Sequence, residues 1–135
     1  MVKEGLRVMV VEDEELLLRA IVKKLELSGK QVISCTSGKQ AVDYLESMAE
    51  KPDIVWLDFY LRDMTGLDFM NALKHKEGWA DIPVIVVSNS ASPDKVSKMM
   101  SLGAKKYILK AEARLDDLVE MVNEIADTKE EESKQ

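Results

Sequence analysis

The chain has little of what marks secreted, membrane-spanning or low-complexity proteins. It contains one cysteine, Cys35, among 135 residues, which excludes an intramolecular disulfide. No apolar run approaches the roughly 20 residues that a membrane-spanning helix needs. Three prolines and six glycines are too few for a collagen-like or low-complexity chain. These absences favour one folded globular domain.

Positive charge is in the minority. The 19 lysines and arginines are outnumbered by 25 aspartates and glutamates, so the net charge is −6. An acidic chain of this kind argues against direct binding to nucleic acid or to an anionic membrane. The first apolar run is short and acidic residues follow it at once, so no signal peptide is visible and we expect a cytoplasmic location.

Short β-branched runs alternate with helical periodicity, a pattern that predicts a parallel α/β sheet. We place strands at about 7–11, 31–35, 53–58, 83–88 and 106–109. Helices are predicted at about 14–28, from 37 onwards, and at about 67–76, 92–102 and 114–126. The prediction is a (βα)5 domain over 1–127, followed by a polar segment, 128–135, that frays or is disordered.

Two finer predictions concern side chains. Leu17, Ile21 and Leu25 are spaced four apart and are predicted to face the sheet, which leaves Leu16 and Leu18 at the margins of that stripe. Trp79 falls in a predicted loop and is expected at the surface.

Polar side chains stand where the hydrophobic runs end. Glu12 and Asp13 follow the first run, Asp58 the third, Ser88 the fourth and Lys110 the fifth. In open α/β sheets, ligands bind beyond the carboxyl ends of the strands, so these residues are predicted to converge. Clustered carboxylates repel one another, and a divalent cation such as Mg²⁺ relieves that repulsion.

The same set suits phosphoryl chemistry. A carboxylate such as Asp58 can act as a nucleophile and form an aspartyl phosphate. The Lys110 ammonium would neutralise phosphoryl charge, and the Ser88 hydroxyl would donate a hydrogen bond to a phosphoryl oxygen.

Four stretches carry a resemblance to a known family. They are Val-Val-Glu-Asp-Glu at 10–14, Pro-Asp-Ile-Val-Trp-Leu-Asp at 52–58 with Gly66, Pro-Val-Ile-Val-Val-Ser at 83–88, and Gly-Ala-Lys-Lys-Tyr-Ile-Leu-Lys at 103–110. In this order and spacing the chain resembles the receiver (CheY-like) domains of bacterial two-component response regulators, over nearly its whole length. The resemblance implies a flavodoxin-like, doubly wound sheet in the strand order 2-1-3-4-5.

The resemblance also implies a role for each matching residue. Asp58 matches the phospho-accepting aspartate. Glu12, Asp13, Asp58 and the backbone carbonyl of Tyr60 match the ligands of Mg²⁺ (or Mn²⁺).

Two further residues match the contacts of the phosphoryl group. Ser88 matches the hydroxyl residue that moves toward that group, and Lys110 matches the lysine that contacts it. Tyr107 matches the aromatic whose rotamer follows the movement. The donor would be a sensor histidine kinase or a histidine phosphotransfer protein. Switching would alter the face made by the fourth helix, fifth strand and fifth helix, for an unknown downstream protein.

The chain departs from the family pattern at several positions, among them Asn89 beside Ser88. Arg62 and Ala111 stand where prolines are usual in the family, and a trans bond is expected before Ala111 because a cis bond there would cost about 3 kcal/mol. Tyr60 and Ser90 occupy positions that in the family tune the lifetime of the phosphate. A bulky Tyr60 that covers the site would slow the loss of phosphate.

Two other classes stay open beside a signalling switch that catalyses only its own phosphorylation and dephosphorylation. One is a phosphorylation-independent scaffold that keeps the fold and the pocket. The other is an aspartate-nucleophile phosphatase of the haloacid dehalogenase type, disfavoured because Tyr60 stands where those enzymes carry a second aspartate. A monomer and a phosphorylation-dependent dimer are both compatible with the sequence.

Overall fold

Five parallel strands form one sheet in the computed structural model of the chain, which describes residues 6–47 and 50–133. The strand order is β2-β1-β3-β4-β5, and helices cover both faces, so the predicted doubly wound α/β fold is confirmed. The strands are β1 Arg7–Val11, β2 Gln31–Cys35, β3 Ile54–Leu57, β4 Val84–Ser88 and β5 Lys106–Leu109. The helices are α1 Glu15–Leu27, α2 Gly38–Ser47, α3 Gly66–His75, α4 Pro93–Ser101 and α5 Leu115–Ser133.

The register brings the carboxyl ends of the central strands level. Val11 at the end of β1 pairs with Leu57 at the end of β3, and Leu57 pairs in turn with Val86 of β4. The residues that follow β1 and β3 therefore emerge side by side at one edge of the sheet.

Each face of the sheet carries its own hydrophobic layer. Successive strand residues point to opposite faces, so Met9 and Val11 belong to the layer covered by α2, α3 and α4, whereas Val8 and Val10 belong to the layer covered by α1 and α5. Both faces are apolar because helices cover both of them, which explains why the strands show little alternation in sequence.

The inward stripe of α1 differs from the predicted one. Leu18 is buried at 6% exposure, together with Ile21 and Leu25, while Leu17 is only partly buried. Leu16 is 77% exposed. The prediction is confirmed for Ile21 and Leu25 and wrong for the third position, where Leu18 is buried instead of Leu17. A repeated spacing of four drifts around a helix of 3.6 residues per turn, whereas the spacings of three and four from Leu18 stay on one face.

The predicted surface position of Trp79 is also wrong. This side chain is only 5% exposed and belongs to the layer that contains α3. The Nζ atom of Lys76 lies 5.0 Å from the centroid of its ring, so the lysine covers the outer side of the indole.

The last helix is longer than predicted. α5 continues to Ser133, so the backbone of 128–133 is helical where the sequence predicts a frayed segment. Glu and Lys dominate this segment, and both are good helix formers. Residues 134–135 lie outside the described part of the chain, and a domain boundary at 127 stays a prediction. Among the described residues, no helix combines the length and apolar character needed to cross a membrane.

Candidate functional site

Three carboxylates meet at the carboxyl edge of the sheet. Glu12 is fully buried, Asp58 is 6% exposed and Asp13 is half-buried. One oxygen from each lies within 4.8 Å of the others. The backbone continues the ladder here, because the Glu12 amide donates to the Cys35 carbonyl at 3.0 Å and the Asp58 amide to the Val11 carbonyl at 3.1 Å. The sheet itself thus sets the distance between these carboxylates.

Lys110 bridges two of the three carboxylates. Its Nζ atom donates to Oε1 of Glu12 at 2.8 Å and to Oδ2 of Asp58 at 3.1 Å. The lysine starts a 3-10 turn, Lys110–Glu112, directly after β5. No cis peptide bond occurs in the described residues, which agrees with the trans bond expected before Ala111.

The remaining carboxylate oxygens accept local hydrogen bonds. Oε2 of Glu12 accepts from the Glu14 amide at 3.1 Å, and Oδ1 of Asp58 accepts from the Tyr60 amide at 3.2 Å. The Nε atom of Arg62 lies 3.8 Å from Oδ2 of Asp13. The Arg62 side chain is 83% exposed, so this ion pair contributes little to stability.

Burial dominates the electrostatics of the site. Desolvation raises the pKa of Glu12 and of Asp58, and the hydrogen bonds and charge of Lys110 only partly oppose this effect. Burial acts to lower the pKa of Lys110, but the hydrogen bond with Glu12 and the charge of Asp58 outweigh it, so its pKa is raised. The site therefore lacks positive charge, and a second cation would stabilise the ionised carboxylates.

Ser88 and Tyr107 lie on neighbouring strands beside the carboxylates. Ser88 is buried at the end of β4, and its Oγ accepts from the Ser90 amide at 3.4 Å. The Tyr107 hydroxyl donates to the Ser90 carbonyl at 2.7 Å. Burial raises the pKa of Tyr107, a hydrogen bond with Ser88 lowers it, and the charge of Asp58 raises it.

A short β-bridge closes the loop after Asp58, and its hydrogen bonds do not involve the Tyr60 carbonyl. Tyr60 and Thr65 form an antiparallel bridge, and the amides of Gly66 and Leu61 donate to the carbonyls of Phe59 and Met64 at 2.6 and 3.1 Å. These two hydrogen bonds do not use the Tyr60 carbonyl. A Cβ atom on Gly66 would lie 3.1 Å from the Phe59 Cα atom, so glycine permits this close approach.

Sequence reasoning missed Asp63, which holds the same loop against α2. Its carboxylate accepts from the amides of Gly38 at 2.9 Å and Lys39 at 2.8 Å. These hydrogen bonds lower the pKa of Asp63, the Lys39 amide contributing most. Its partners are 25 and 24 residues away, so no local pattern in the sequence indicates the contact.

The sequence is similar to response regulators from bacteria and plants. The chain is 41% identical over 105 residues to the transcriptional regulatory protein KdpE of Mycobacterium tuberculosis, covering 76% of this chain and 43% of that protein. It is 31% identical over 112 residues to the two-component response regulator ORR1 of Oryza sativa, covering 77% of this chain and 48% of that protein. The chain therefore spans less than half the length of these curated relatives.

Solved structures and the family profile agree with this similarity. A CheY-like receiver domain protein of Methanospirillum hungatei superposes with a TM-score of 0.82 at 26% identity, covering 95% of this chain and 98% of that one. The phosphorylated cyanobacterial phytochrome response regulator RcpA gives 0.76 at 27% identity, covering 90% and 91%. The profile of the response regulator receiver domain matches residues 8–123. The chain therefore belongs to the receiver domains of two-component response regulators.

Proposed function

We propose that this receiver domain accepts a phosphoryl group on Asp58 in a reaction that depends on Mg²⁺ or Mn²⁺. The observation that carries the proposal is a cluster of three carboxylates whose oxygens lie within 4.8 Å of one another. Lys110 donates hydrogen bonds to two of them. Such a set has an excess of negative charge at a buried position, and receiving a phosphoryl group there requires a compensating cation.

The donor set suits a hard cation. Glu12, Asp13 and Asp58 supply carboxylate oxygens, and the Tyr60 carbonyl, which the loop bridge does not use, supplies a neutral one. Mg²⁺ bound there would neutralise charge on the carboxylates and on a phosphoryl oxygen. Lys110 would then no longer be needed by both carboxylates, and its ammonium would be available to the phosphoryl group.

The transfer itself would be a displacement at phosphorus. A carboxylate oxygen of Asp58 attacks the phosphorus of a phosphohistidine, the P–N bond breaks, and the imidazole leaves and takes up a proton. Lys110 and the Ser88 hydroxyl would stabilise the charge on the transferred group. With this apparatus the domain would act as a switch that catalyses only its own phosphorylation and dephosphorylation.

The switch would run through Ser88 and Tyr107. A shift of Ser88 toward the phosphoryl group would disturb the segment that includes Ser90, whose carbonyl accepts from the Tyr107 hydroxyl. Tyr107 lies on β5, between α4 and α5, so its movement would change the face that these elements form. A local change of charge would in this way bias what that face binds.

The proposed partners follow from the family. A sensor histidine kinase or a histidine phosphotransfer protein would donate the phosphoryl group, with the exposed Leu16 at the start of α1 as a contact. The α4–β5–α5 face would bind a downstream protein or a second copy of the domain. The domain would be a monomer in the first case and a phosphorylation-dependent dimer in the second. The net charge of −6 argues against direct contact with nucleic acid or membrane, and a cytoplasmic location fits these partners.

Intact mass tests the proposal. The protein is incubated with Mg²⁺ and a small acyl-phosphate donor, and we expect one added phosphoryl group. Asp58→Asn and a chelator should each abolish the adduct, because the first removes the nucleophile and the second the cation. Asp81→Asn, at an exposed aspartate outside the site, is the matched control and should still be phosphorylated.

Rapid hydrolysis would conceal an adduct, so a missing adduct is followed by a beryllofluoride binding measurement. Beryllofluoride mimics a phosphoryl group without being hydrolysed. If the wild-type protein neither gains mass nor binds beryllofluoride, the phosphorylation proposal is wrong and the chain is better described as a scaffold.

A further inference from the structure

Tyr60 is an exposed aromatic residue beside the proposed phosphoacceptor. Its amide donates to Oδ1 of Asp58 at 3.2 Å, yet its side chain is 46% exposed. Its ring meets the Phe59 ring edge-on, with 4.9 Å between the centroids. The backbone of Tyr60 thus contacts the carboxylate, while its partly exposed ring takes the position that its neighbours allow.

Lys95 of α4 reaches the same ring. Its Nζ atom lies 4.5 Å from the Tyr60 ring centroid and 5.7 Å from that of Phe59. Both distances are within the roughly 6 Å at which an aromatic ring attracts a cation. The contact joins the loop after β3 to α4, two elements that the chain does not connect directly.

Lys95 is unfavourable in its local position. It lies in the first turn of α4, where the helix dipole favours acidic residues such as the neighbouring Asp94. The Lys95 amide donates to the Ser92 hydroxyl at 3.3 Å, which fixes the backbone from which the side chain extends. A cation placed against the local preference and directed at two rings indicates a tertiary role.

We propose that Lys95 is a positioning residue that holds the Tyr60 ring over Asp58 and thereby slows hydrolysis of the aspartyl phosphate. The inference rests on the proposed function, since it concerns the lifetime of the group that Asp58 would carry. In hydrolysis a water oxygen attacks phosphorus, the bond between phosphorus and the Asp58 oxygen breaks, and phosphate leaves while the proton of the water passes to solvent. A held ring limits the access of that water.

The contact also places the lifetime of the phosphoryl group under the influence of α4. A partner of the proposed α4–β5–α5 face that engages the Lys95 ammonium removes it from the Tyr60 ring.

The rate of phosphate loss tests the proposal. Wild-type protein, Lys95→Gln, Lys95→Arg and Lys98→Gln are phosphorylated with a small acyl-phosphate donor and Mg²⁺, the donor is removed, and the adduct is followed by intact mass. Lys95→Gln should lose phosphate about two- to fivefold faster, the range that a surface cation–π contact supports. Lys95→Arg keeps a cation over the ring and should decay like wild type. Lys98→Gln removes the same charge from an exposed position of α4 and should also decay like wild type.

A double-mutant cycle separates the ring from the charge. In a Tyr60→Leu background, Lys95→Gln should cause no further acceleration, because the ring that Lys95 holds is gone. Equal acceleration in both backgrounds, or unchanged decay of Lys95→Gln, overturns the proposal. Unfolding temperatures of all variants verify that the fold is intact. A wild-type protein that forms no adduct overturns the phosphorylation proposal with it, whereas an adduct that decays equally in Lys95→Gln overturns only the role of Lys95.

Discussion

Asp58 and Asp63 lie in the same stretch between β3 and α3, and the fold treats them in opposite ways. Asp58 is buried, and desolvation raises its pKa although Lys110 is close. Asp63 is exposed, and the amides of Lys39 and Gly38 lower its pKa. The ionised form is therefore disfavoured at Asp58 and favoured at Asp63.

Unfavourable electrostatic energy in this domain is concentrated at the buried carboxylates and not at the exposed one. The carboxylate of Asp63 stabilises the fold, since it supplies the hydrogen bonds that the start of α2 needs. The carboxylates of Asp58 and Glu12 oppose the fold until a cation compensates them. The hydrophobic layers on both faces of the sheet hold these two carboxylates in place.

Removing the Lys110 ammonium from the buried carboxylates of Glu12 and Asp58 should change the free energy of unfolding most. We expect Lys110→Met to lower the free energy of unfolding by about 3 kcal/mol, because Glu12 and Asp58 would stay buried without a counter-ion. Urea unfolding at neutral pH in the presence of a chelator measures it. Lys106→Met, at an exposed position of β5, is the control and should change stability by no more than about 0.5 kcal/mol. Equal stability of the two variants would show that Lys110 does not compensate the carboxylates.

Replacing Asp58 and replacing Asp63 should change the free energy of unfolding in opposite directions. Asp58→Asn should raise the free energy of unfolding by about 1 kcal/mol, because it removes a desolvated charge that Lys110 only partly offsets. Asp63→Ala should lower it by about 1 kcal/mol, because two amides at the start of α2 lose their acceptor. Both are measured by urea unfolding in metal-free buffer. If both variants are destabilised alike, the contrast between the two carboxylates is wrong.

The pH dependence of these differences is the smallest expected effect. Asp63 has a lowered pKa, so its contribution is present above the ordinary value of 3.8 and is lost as the pH falls through the lower folded value. Asp58 has a raised pKa, so the folded state binds its proton more tightly, and stability falls as the pH rises from 3.8 through the higher folded value.

The free energy of unfolding of wild type, Asp58→Asn and Asp63→Ala, measured from acidic to neutral pH, tests these two dependences. The loss caused by Asp63→Ala should shrink on the acidic side, whereas the gain caused by Asp58→Asn should grow toward neutral pH, each relative to wild type. Parallel curves for all three proteins in metal-free buffer would contradict the assignment of opposite shifts.

Much of the site was predictable from local sequence. Each strand is a short apolar run, and in a parallel sheet the residue after such a run must emerge at the carboxyl edge. That reasoning places Glu12, Asp58, Ser88 and Lys110 at one edge, where the structure has them. Which of the three consecutive leucines of α1 faces the sheet was not predictable in the same way. Leu16, Leu17 and Leu18 are chemically alike, and only packing against the sheet selects Leu18.

The contacts that tie the loop to its neighbours were not predictable either. Asp63 meets the start of α2, and Lys95 meets Tyr60, each pair joined only by the folded chain. From sequence, a charged residue in a loop or in a first helical turn is predicted to be solvated. A partner that is distant in the chain produces no periodic pattern around it.

Three features follow from local sequence alone: the parallel α/β sheet, the strand edge that carries the polar residues, and the residue types available there. Periodicity and residue type are local properties, and both survive in any fold that the chain adopts. Three other features depend on tertiary packing: which leucine of α1 is buried, the bridging of two carboxylates by Lys110, and the contacts of Asp63 and Lys95 with their distant partners. Those outcomes depend on distances between residues far apart in the chain, which are set when the helices pack against the sheet.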